Sequence, residues 1–205
     1  MYYIGVDLGT SAVKLLLMEE SGEICNIVSK EYPLYFPHPG WSEQKPEDWL
    51  EKSIEGIKEL TAGIDKAKVV GIGIGGQMHG LVTLDAEDKV IRPAILWNDG
   101  RTTKECDYLN QVIGKERLSA YTANISFTGF TAPKVLWMKN NEPENFAKIH
   151  KIMLPKDYLA FRLSGNYSTD VSDASGTLFF DVKNRCWSEE MCEICSIKTL
   201  SLIHI

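Results

Sequence analysis

The sequence has no excess of positive charge and no long hydrophobic run. Its 22 lysine and arginine residues are outnumbered by 28 aspartate and glutamate residues, so the formal net charge is −6. Because nucleic-acid-binding domains carry a basic patch or stripe that neutralises phosphates, this balance argues against nucleic acid as a partner. No apolar stretch approaches the ~20 residues that a helix needs to cross a bilayer, which argues against a membrane partner.

The N-terminal residues lack the basic segment and long apolar segment that together mark a secretory signal. Instead, Tyr2 begins a short run typical of a strand. We therefore expect a cytoplasmic protein. With 205 residues, of which 44% are hydrophobic, the chain is long enough for one large domain or two small ones with a buried core.

The five cysteines are an odd number and are scattered, which predicts free thiols rather than a disulfide framework. Cys192 and Cys195 form a C-x-x-C pair. A zinc site would need two further ligands, and the sequence has neither a second C-x-x-C nor an H-x₃₋₅-H. The surroundings also lack the βαβ setting of a thioredoxin-like redox pair, so we predict that both cysteines lie on a helix.

What the sequence does contain is a β-hairpin pattern at its start. Two short runs rich in Val, Ile, Leu and Tyr span residues 2–18, and they are separated by Asp7-Leu8-Gly9-Thr10-Ser11. Residues 23–32 alternate well enough to add a third strand, which would complete a meander.

The predicted tip of the hairpin carries groups that suit a metal and phosphate. Asp7 closes the first strand as a carboxylate, and Mg²⁺ prefers such oxygen ligands while keeping several waters. Gly9 lets the backbone approach a ligand closely, so the amides and hydroxyls of Thr10 and Ser11 can face phosphate oxygens. Lys14 adds a positive charge. The alternative is an ordinary hairpin whose turn is polar.

A helix is predicted to begin at Pro46, since proline suits the first helical turn and the acidic residues that follow it suit the positive end of the helix. Helical spacing predicts a buried face formed by Leu50, Ile54, Ile57 and Thr61. We expect this helix to cover one face of the sheet.

Residues 68–75 predict a buried central strand, and the GIGIGG at its end formally matches a dinucleotide fingerprint. That fingerprint requires a strand before the glycines and a helix opening at them. Here the glycines belong to the strand itself, and a loop leading to another strand follows. The sequence therefore does not predict a dinucleotide site.

The loop after this strand presents an amide, a thioether and an imidazole from Gln77, Met78 and His79. Ligands of open α/β sheets bind at the carboxyl ends of strands, and groups of this kind suit a neutral polyol or sugar. The alternative is that Met78 belongs to the core and His79 is an internal histidine with satisfied hydrogen bonds.

A second candidate subsite follows the apolar run at residues 94–97. Trp97, Asn98 and Asp99 combine an aromatic ring, which can cover sugar C–H groups, with polar groups that can bind hydroxyls, and Arg101 follows them. The alternative is a simple turn with Trp97 in the core.

Six segments occur in this order along the chain: DLGTSAVK, GQMHGLV, ILWNDGR, FTGFTAPKVLW, LPKDYL and SDASGT. Together they resemble the FGGY carbohydrate kinases, and the second and third are most similar to the bacterial xylulokinases of that family. The resemblance covers residues 1 to about 195.

The resemblance implies an α/β, ribonuclease-H-like domain of the actin, hexokinase and heat-shock chaperone ATPase superfamily, with a mixed sheet flanked by helices. It also implies ATP and Mg²⁺ as cofactors and transfer of the γ-phosphoryl group to a ketopentose, D-xylulose foremost. The alternatives within the family are ribulose, fuculose, rhamnulose, gluconate and glycerol. A homodimer is expected for a full-length form.

The same resemblance implies roles for individual residues. Asp7 would hold Mg²⁺ through water near the phosphates. The loop facing the phosphoryl groups would be Gly9, Thr10 and Ser11, with Lys14 nearby. The ketose pocket would involve Gln77, Met78, His79, Trp97, Asn98 and Asp99.

One departure from the family pattern is the lack of a Gly-Gly-Gly-Asp-Asn-like motif, which in these kinases carries the general base. None of the aspartates in the last third of the chain has that context, so no catalytic base is assigned. We expect residues 1–195 to form the N-terminal kinase domain and residues 196–205 an atypical tail left by truncation, with the second kinase domain absent. An actin-like ATPase or a non-catalytic sugar-binding module are the alternatives from other classes.

Overall fold

The computed structural model describes all residues from Met1 to Ile205, which form ten strands and eight α-helices. The strands are β1 (Tyr2–Leu8), β2 (Ala12–Glu19), β3 (Ile24–Glu31), β4 (Glu43–Gln44), β5 (Val69–Gly76), β6 (Val82–Leu84), β7 (Ala94–Ile95), β8 (Lys151–Met153), β9 (Phe180–Asp181) and β10 (Cys186–Trp187). The predicted hairpin and its third strand are confirmed.

The helices are α1 (Pro46–Leu60), α2 (Thr103–Asp107), α3 (Lys115–Thr122), α4 (Thr131–Asn141), α5 (Pro143–Phe146), α6 (Pro155–Ser164), α7 (Val171–Ser175) and α8 (Glu189–Cys195). A π-helical segment, Tyr108–Gly114, joins α2 to α3, and short 3₁₀ turns cover Lys66–Lys68 and Thr199–Ser201. None of these helices combines the length and the apolar character needed to cross a bilayer.

The main sheet has four strands in the order β3, β2, β1, β5. The first three pair antiparallel, as a meander must, and β1 pairs parallel with β5. The register places Asp7 opposite Lys14 on one side and opposite Gly75 on the other. Because β1 and β5 run in the same direction, their carboxyl ends meet at one edge of the sheet, which is where ligands of α/β sheets bind.

Helices α1 and α6 pack on one face of this sheet. The largest fully buried side chains there include Leu8, Leu15, Leu17, Trp49 and Tyr158. The opposite face is open, so the helices flank the sheet from one side only.

The buried stripe of α1 differs from the predicted one. The fully buried stripe consists of Trp49, Ser53, Gly56 and Leu60, while in the predicted face Thr61 is buried and Leu50 and Ile57 are partly buried against the same core. A Cβ atom on Gly56 would lie 2.5 Å from Leu15 Cδ1, so the helix backbone packs directly against β2. Small residues therefore occupy the contact, while Ile54 remains 37% exposed.

Strand β5 is not the central, buried strand that its apolar run predicted. It forms the edge of the sheet, and Val70 and Ile72 are 50% and 47% exposed. An apolar run reveals which residues favour burial, but the number of neighbouring strands is set by tertiary pairing.

A second apolar core is formed mainly by α4 and α8 and includes Ile152 of the short strand β8. Cys192 and Cys195 belong to this core on α8, as predicted for a helix, and both are free thiols. Burial raises the pKa of both thiols above the usual range.

Residues 196–205 are not a separate tail. Leu202 and Ile203 are buried, and the Trp187 indole N–H donates to the Ile203 carbonyl at 2.9 Å. His204 pairs with Ser168 in a parallel bridge. Leu202 packs in the second core and Ile203 in the first, so these residues are part of the packed domain.

Candidate active-site cleft

Three predicted site loops meet at the carboxyl edge of β1 and β5. The loop 9–11 follows β1, and the loop 77–80 follows β5. They are joined where the Gln77 backbone N–H donates to the Leu8 carbonyl at 2.7 Å. The loop 97–101 joins them because the Trp97 indole N–H donates to the Thr10 hydroxyl at 3.0 Å. The structure thus brings together residues that are 87 positions apart.

Asp7 and Lys14 face the open side of the sheet. Both are exposed, and with Gly73 they line a shallow cavity of about 390 Å³. No cluster of three or more His, Cys, Asp or Glu side chains is placed to enclose a metal. A single exposed carboxylate nevertheless fits Mg²⁺, which keeps most of its waters and is usually shared with substrate phosphates. Ser11 is likewise exposed at the hairpin tip.

A buried amide network holds the hairpin loop from behind. The Gln44 amide donates to the Thr10 carbonyl at 2.6 Å, and its oxygen accepts from Trp49 Nε1 at 3.1 Å. The same oxygen accepts from Gln77 Nε2 at 3.0 Å. Gln77 is only 8% exposed. Its side chain therefore belongs to this network, behind the cleft wall.

Tyr32 completes the support of the loop. Its hydroxyl donates to the Gly9 carbonyl, and its backbone N–H donates to the Ser11 carbonyl at 3.3 Å. Burial and the nearby negative charge of Asp7 raise the pKa of Tyr32, so its phenol stays protonated and remains a donor. The polar backbone of the loop is thus fixed before any ligand arrives.

Replacing Gln44 by leucine is expected to destabilise the protein by about 2–3 kcal/mol, because a buried carbonyl and two buried N–H groups lose a partner. Urea unfolding followed by tryptophan fluorescence measures this change. Gln111→Leu, at an exposed position, is the matched control and should change the free energy of unfolding by less than about 0.5 kcal/mol. Equal effects of the two substitutions would contradict the network's role.

Met78 and His79 project from the loop after β5. Met78 is 52% exposed, and His79 adopts a left-handed backbone with φ of 63°. The imidazole packs against the Phe130 ring, with the ring centroids 4.7 Å apart, and against Gly176. Burial and the positive charge of Lys134 lower the pKa of His79, so the imidazole is neutral at pH 7.

A groove of about 400 Å³ adjoins Met78 and His79. Its far wall contains Lys156, whose ammonium lies 2.9 Å from Asp170 and 3.3 Å from Asp173. Although burial by itself lowers the pKa of Lys156, the surrounding carboxylates raise it overall. The groove therefore combines an apolar thioether, an imidazole and a fixed set of charges.

Trp97 and Asn98 are exposed at the cleft, with Trp97 45% exposed. Asp99 is different, since only 1% of it is exposed. One carboxylate oxygen accepts from the Ser42 backbone N–H at 2.6 Å and from Arg101 Nη2 at 2.7 Å, and the other accepts from Arg101 N and Nε, both at 2.9 Å. The carboxylate is occupied by the fold and lies behind the wall that carries Trp97.

Arg101 explains why this loop holds its shape. Its guanidinium stacks 3.7 Å from the centre of the Trp41 ring and 4.8 Å from that of Trp137. Glu43 adds an ion pair at 2.8 Å. The side chain is 1% exposed, so the loop is anchored in a desolvated cluster.

Several residues that shape the cleft were not singled out from the sequence. They are Tyr32, Gln44, Lys134, Lys156 and Gly176. The segments FTGFTAPKVLW and SDASGT contain two of them, and their small and polar residues were the available signal. Within SDASGT, Gly176 lies directly against the His79 ring.

Comparison with known proteins assigns the family. The model for the FGGY family of carbohydrate kinases, N-terminal domain, matches residues 2–204. The Escherichia coli K12 xylulose kinase is 46% identical over 195 residues, which are 95% of this chain and 40% of that protein.

Solved structures agree with this assignment. A Brucella ovis protein described as a xyloylose kinase superposes with a TM-score of 0.95 at 43% identity, covering 100% of this chain and 43% of that one. A Lactobacillus acidophilus gluconate kinase superposes with a TM-score of 0.94 at 31% identity, covering 100% of this chain and 41% of that one. The predicted actin-like ATPase fold is confirmed. The chain spans about two fifths of the length of the curated relatives that it matches, and it belongs to the FGGY family of carbohydrate kinases as their N-terminal domain.

Proposed function

We propose that this chain supplies the metal, phosphate and sugar half of an ATP-dependent kinase that converts D-xylulose to D-xylulose 5-phosphate. The carrying observation is the hydrogen bond from Trp97 to the Thr10 hydroxyl, which joins the predicted phosphate loop to the predicted sugar loops at one sheet edge. The Escherichia coli relative that is 46% identical to this chain is named a xylulose kinase, which supports D-xylulose over the other sugars of the family.

On the phosphate side, Asp7 orients a hydrated Mg²⁺ through its exposed carboxylate. Thr10 and Ser11 present backbone amides and hydroxyls to the phosphoryl groups, Gly9 lets the loop come close to them, and Lys14 adds positive charge. The metal, when bound, offsets phosphate charge, and ATP is the phosphoryl donor. Phosphoryl transfer depends mainly on positioning and electrostatic stabilisation, which this rigid loop provides.

On the sugar side, Met78 and the neutral His79 contact the ketose, Trp97 covers its C–H groups, and Asn98 binds a hydroxyl. Gln77 and Asp99 act from behind the wall by holding the loops. This division follows from exposure. Met78, His79, Trp97 and Asn98 are at least partly accessible to a ligand. Gln77 and Asp99 are only 8% and 1% exposed.

The general base toward the sugar hydroxyl belongs to a second domain in this proposal. The open sheet face and the half-exposed β5 edge are the surfaces that such a domain would cover, since parallel strands are normally buried on both faces.

We place the reaction in the cytoplasm and expect the full-length enzyme to form a homodimer. The 205-residue chain alone then binds D-xylulose weakly and does not phosphorylate it at enzymatic rates.

The test uses the 205-residue chain with ¹³C-labelled methionine methyl groups. The six methionines include exposed Met78 and fully buried Met138, which serves as an internal control. D-xylulose is expected to shift the Met78 methyl signal in a saturable way and to leave Met138 unchanged. D-ribulose, gluconate and glycerol should act only at higher concentration.

Two results would overturn this proposal. If none of the sugars moves the Met78 signal, an actin-like ATPase role is favoured. If D-xylulose stimulates ADP release from MgATP by this chain at rates typical of enzymes, on the order of 1 s⁻¹ or more, this chain contains its own general base.

A further inference from the structure

Lys134 on α4 is completely buried and is not used by the proposed reaction. It is 0% exposed and forms no ion pair with any carboxylate. Its ammonium donates instead to two backbone carbonyls, that of His79 at 3.0 Å and that of Gly129. Burial of a charge without a paired carboxylate is costly, so this arrangement is unusual for a residue that only fills space.

The two carbonyls belong to different loops, the one that follows β5 and the one that precedes α4. His79 has a left-handed backbone, and its carbonyl also accepts from the Thr131 hydroxyl at 3.1 Å. Left-handed non-glycine residues persist where surrounding contacts hold them. The Lys134 and Thr131 bonds provide such contacts, so α4 fixes the backbone from which the imidazole projects.

The Gly129 carbonyl connects the same lysine to the Trp97 loop. A Cβ on Gly129 would lie 2.7 Å from the Trp97 carbonyl, so the two backbones are in direct contact. Phe130, the next residue, packs on the His79 ring. One ammonium group therefore ties together the loop that carries His79 and the loop that supports both Trp97 and the imidazole.

The surroundings of this ammonium disfavour its charged form. Burial lowers the pKa of Lys134, the negative charge of Asp99 raises it, and the positive charge of Arg101 lowers it. The resulting pKa is about 7. His79 faces it from the other side, and the charge of Lys134 contributes to lowering the pKa of that imidazole. Lys134 therefore influences His79 by charge as well as by hydrogen bonding.

We propose that Lys134 is a positioning residue that sets the place of His79 in the sugar cleft by clamping the carbonyls of His79 and Gly129. It touches no reacting atom. The proposal rests on the proposed function for its relevance to sugar binding, but the clamp itself is a property of the free chain.

The test compares Lys134→Met, which keeps an unbranched side chain, one atom shorter, and removes the donors, with Lys139→Met. Lys139 lies on the same helix, but it is exposed and bonds only the Ser196 hydroxyl at 2.7 Å. The four histidines, His38, His79, His150 and His204, are titrated by NMR, and backbone amide exchange is measured in both variants.

In Lys134→Met, the pKa of His79 should rise toward its ordinary value. Amides of residues 77–80 and 127–130 should exchange about tenfold faster or more, the effect of losing one or two hydrogen bonds. Lys139→Met should show neither change. D-xylulose affinity should fall about tenfold in Lys134→Met only.

The readouts separate the two proposals. If the wild-type chain binds no sugar, the proposed function fails while the His79 titration and amide exchange still judge the clamp. If Lys134→Met lowers stability but leaves His79 and both loops as in the wild type, Lys134 is merely structural and the inference is overturned.

A measurement on the wild-type chain covers the case in which Lys134→Met does not fold. The ¹³C signals of the His79 and Gly129 carbonyls should titrate together with the Lys134 side chain, at a common midpoint near its pKa of about 7. Carbonyl signals that do not follow the lysine would contradict the clamp.

Discussion

Replacing Asp99 by alanine is expected to destabilise the protein by about 3 kcal/mol, the lower end of the range for removing one partner of a buried ion pair. The substitution removes the carboxylate that accepts two hydrogen bonds from the guanidinium of Arg101, whose side chain is 1% exposed, and one from its backbone N–H. It also leaves the Ser42 backbone N–H unpaired. Glu43 still pairs with Arg101 at 2.8 Å, which keeps the loss from being larger.

Urea unfolding of the 205-residue chain measures this effect. Asp107→Ala, at an exposed position on α2 without an ion pair, is the matched control and should change the free energy of unfolding by less than about 0.5 kcal/mol. If Asp99→Ala instead unfolds like the wild type and loses D-xylulose affinity, Asp99 contacts the sugar directly. That outcome would return Asp99 to the role implied by the family resemblance.

Replacing Gly176 by alanine should reduce D-xylulose affinity about tenfold or more and destabilise the chain by about 1–3 kcal/mol. The new Cβ would lie 2.3 Å from His79 Cε1 and 2.5 Å from Nδ1, so the imidazole must move. The backbone of Gly176, with φ of −84° and ψ of 1°, accepts alanine without strain. The steric cost therefore falls on the side chain that is proposed to contact the sugar, within the ~1–3 kcal/mol typical of overpacking.

Gly73→Ala is the control for this substitution, because a Cβ at Gly73 would meet no atom within 4 Å. Sugar affinity is followed by the Met78 methyl shift and stability by urea unfolding. A Gly176→Ala chain with wild-type affinity would show that the position of the His79 ring does not matter for sugar binding.

The sequence was sufficient for the features that depend on local pattern. Alternating apolar residues predicted β1, β2 and β3, and the polar break between the first two strands located the candidate phosphate loop. Six ordered segments identified the family, which the comparisons confirm. These features are local because strand alternation and turn composition are set by neighbouring residues.

The sequence was less informative where packing chose between similar residues. In α1, it predicted the larger aliphatic side chains as the buried face. The structure centres the buried face on Trp49, Gly56 and Leu60, because Gly56 lets the helix backbone pack directly against Leu15, and it leaves Ile54 37% exposed. The apolar run in β5 likewise predicted a central strand, and only the pairing of strands made it an edge.

Tertiary structure alone decided which polar side chains face the cleft. Gln77 and Asp99 lie in the same short motifs as Met78 and Trp97, yet their side chains turn inward to partners 33 and 57 residues away in sequence. Lys134 bonds a carbonyl 55 residues away. A buried polar group must satisfy its hydrogen bonds wherever the fold supplies partners, and those partners are distant in sequence. The sequence by itself therefore determined the family, the hairpin and the chemistry available at the strand ends, whereas the fold decided which groups meet a ligand and which hold the wall.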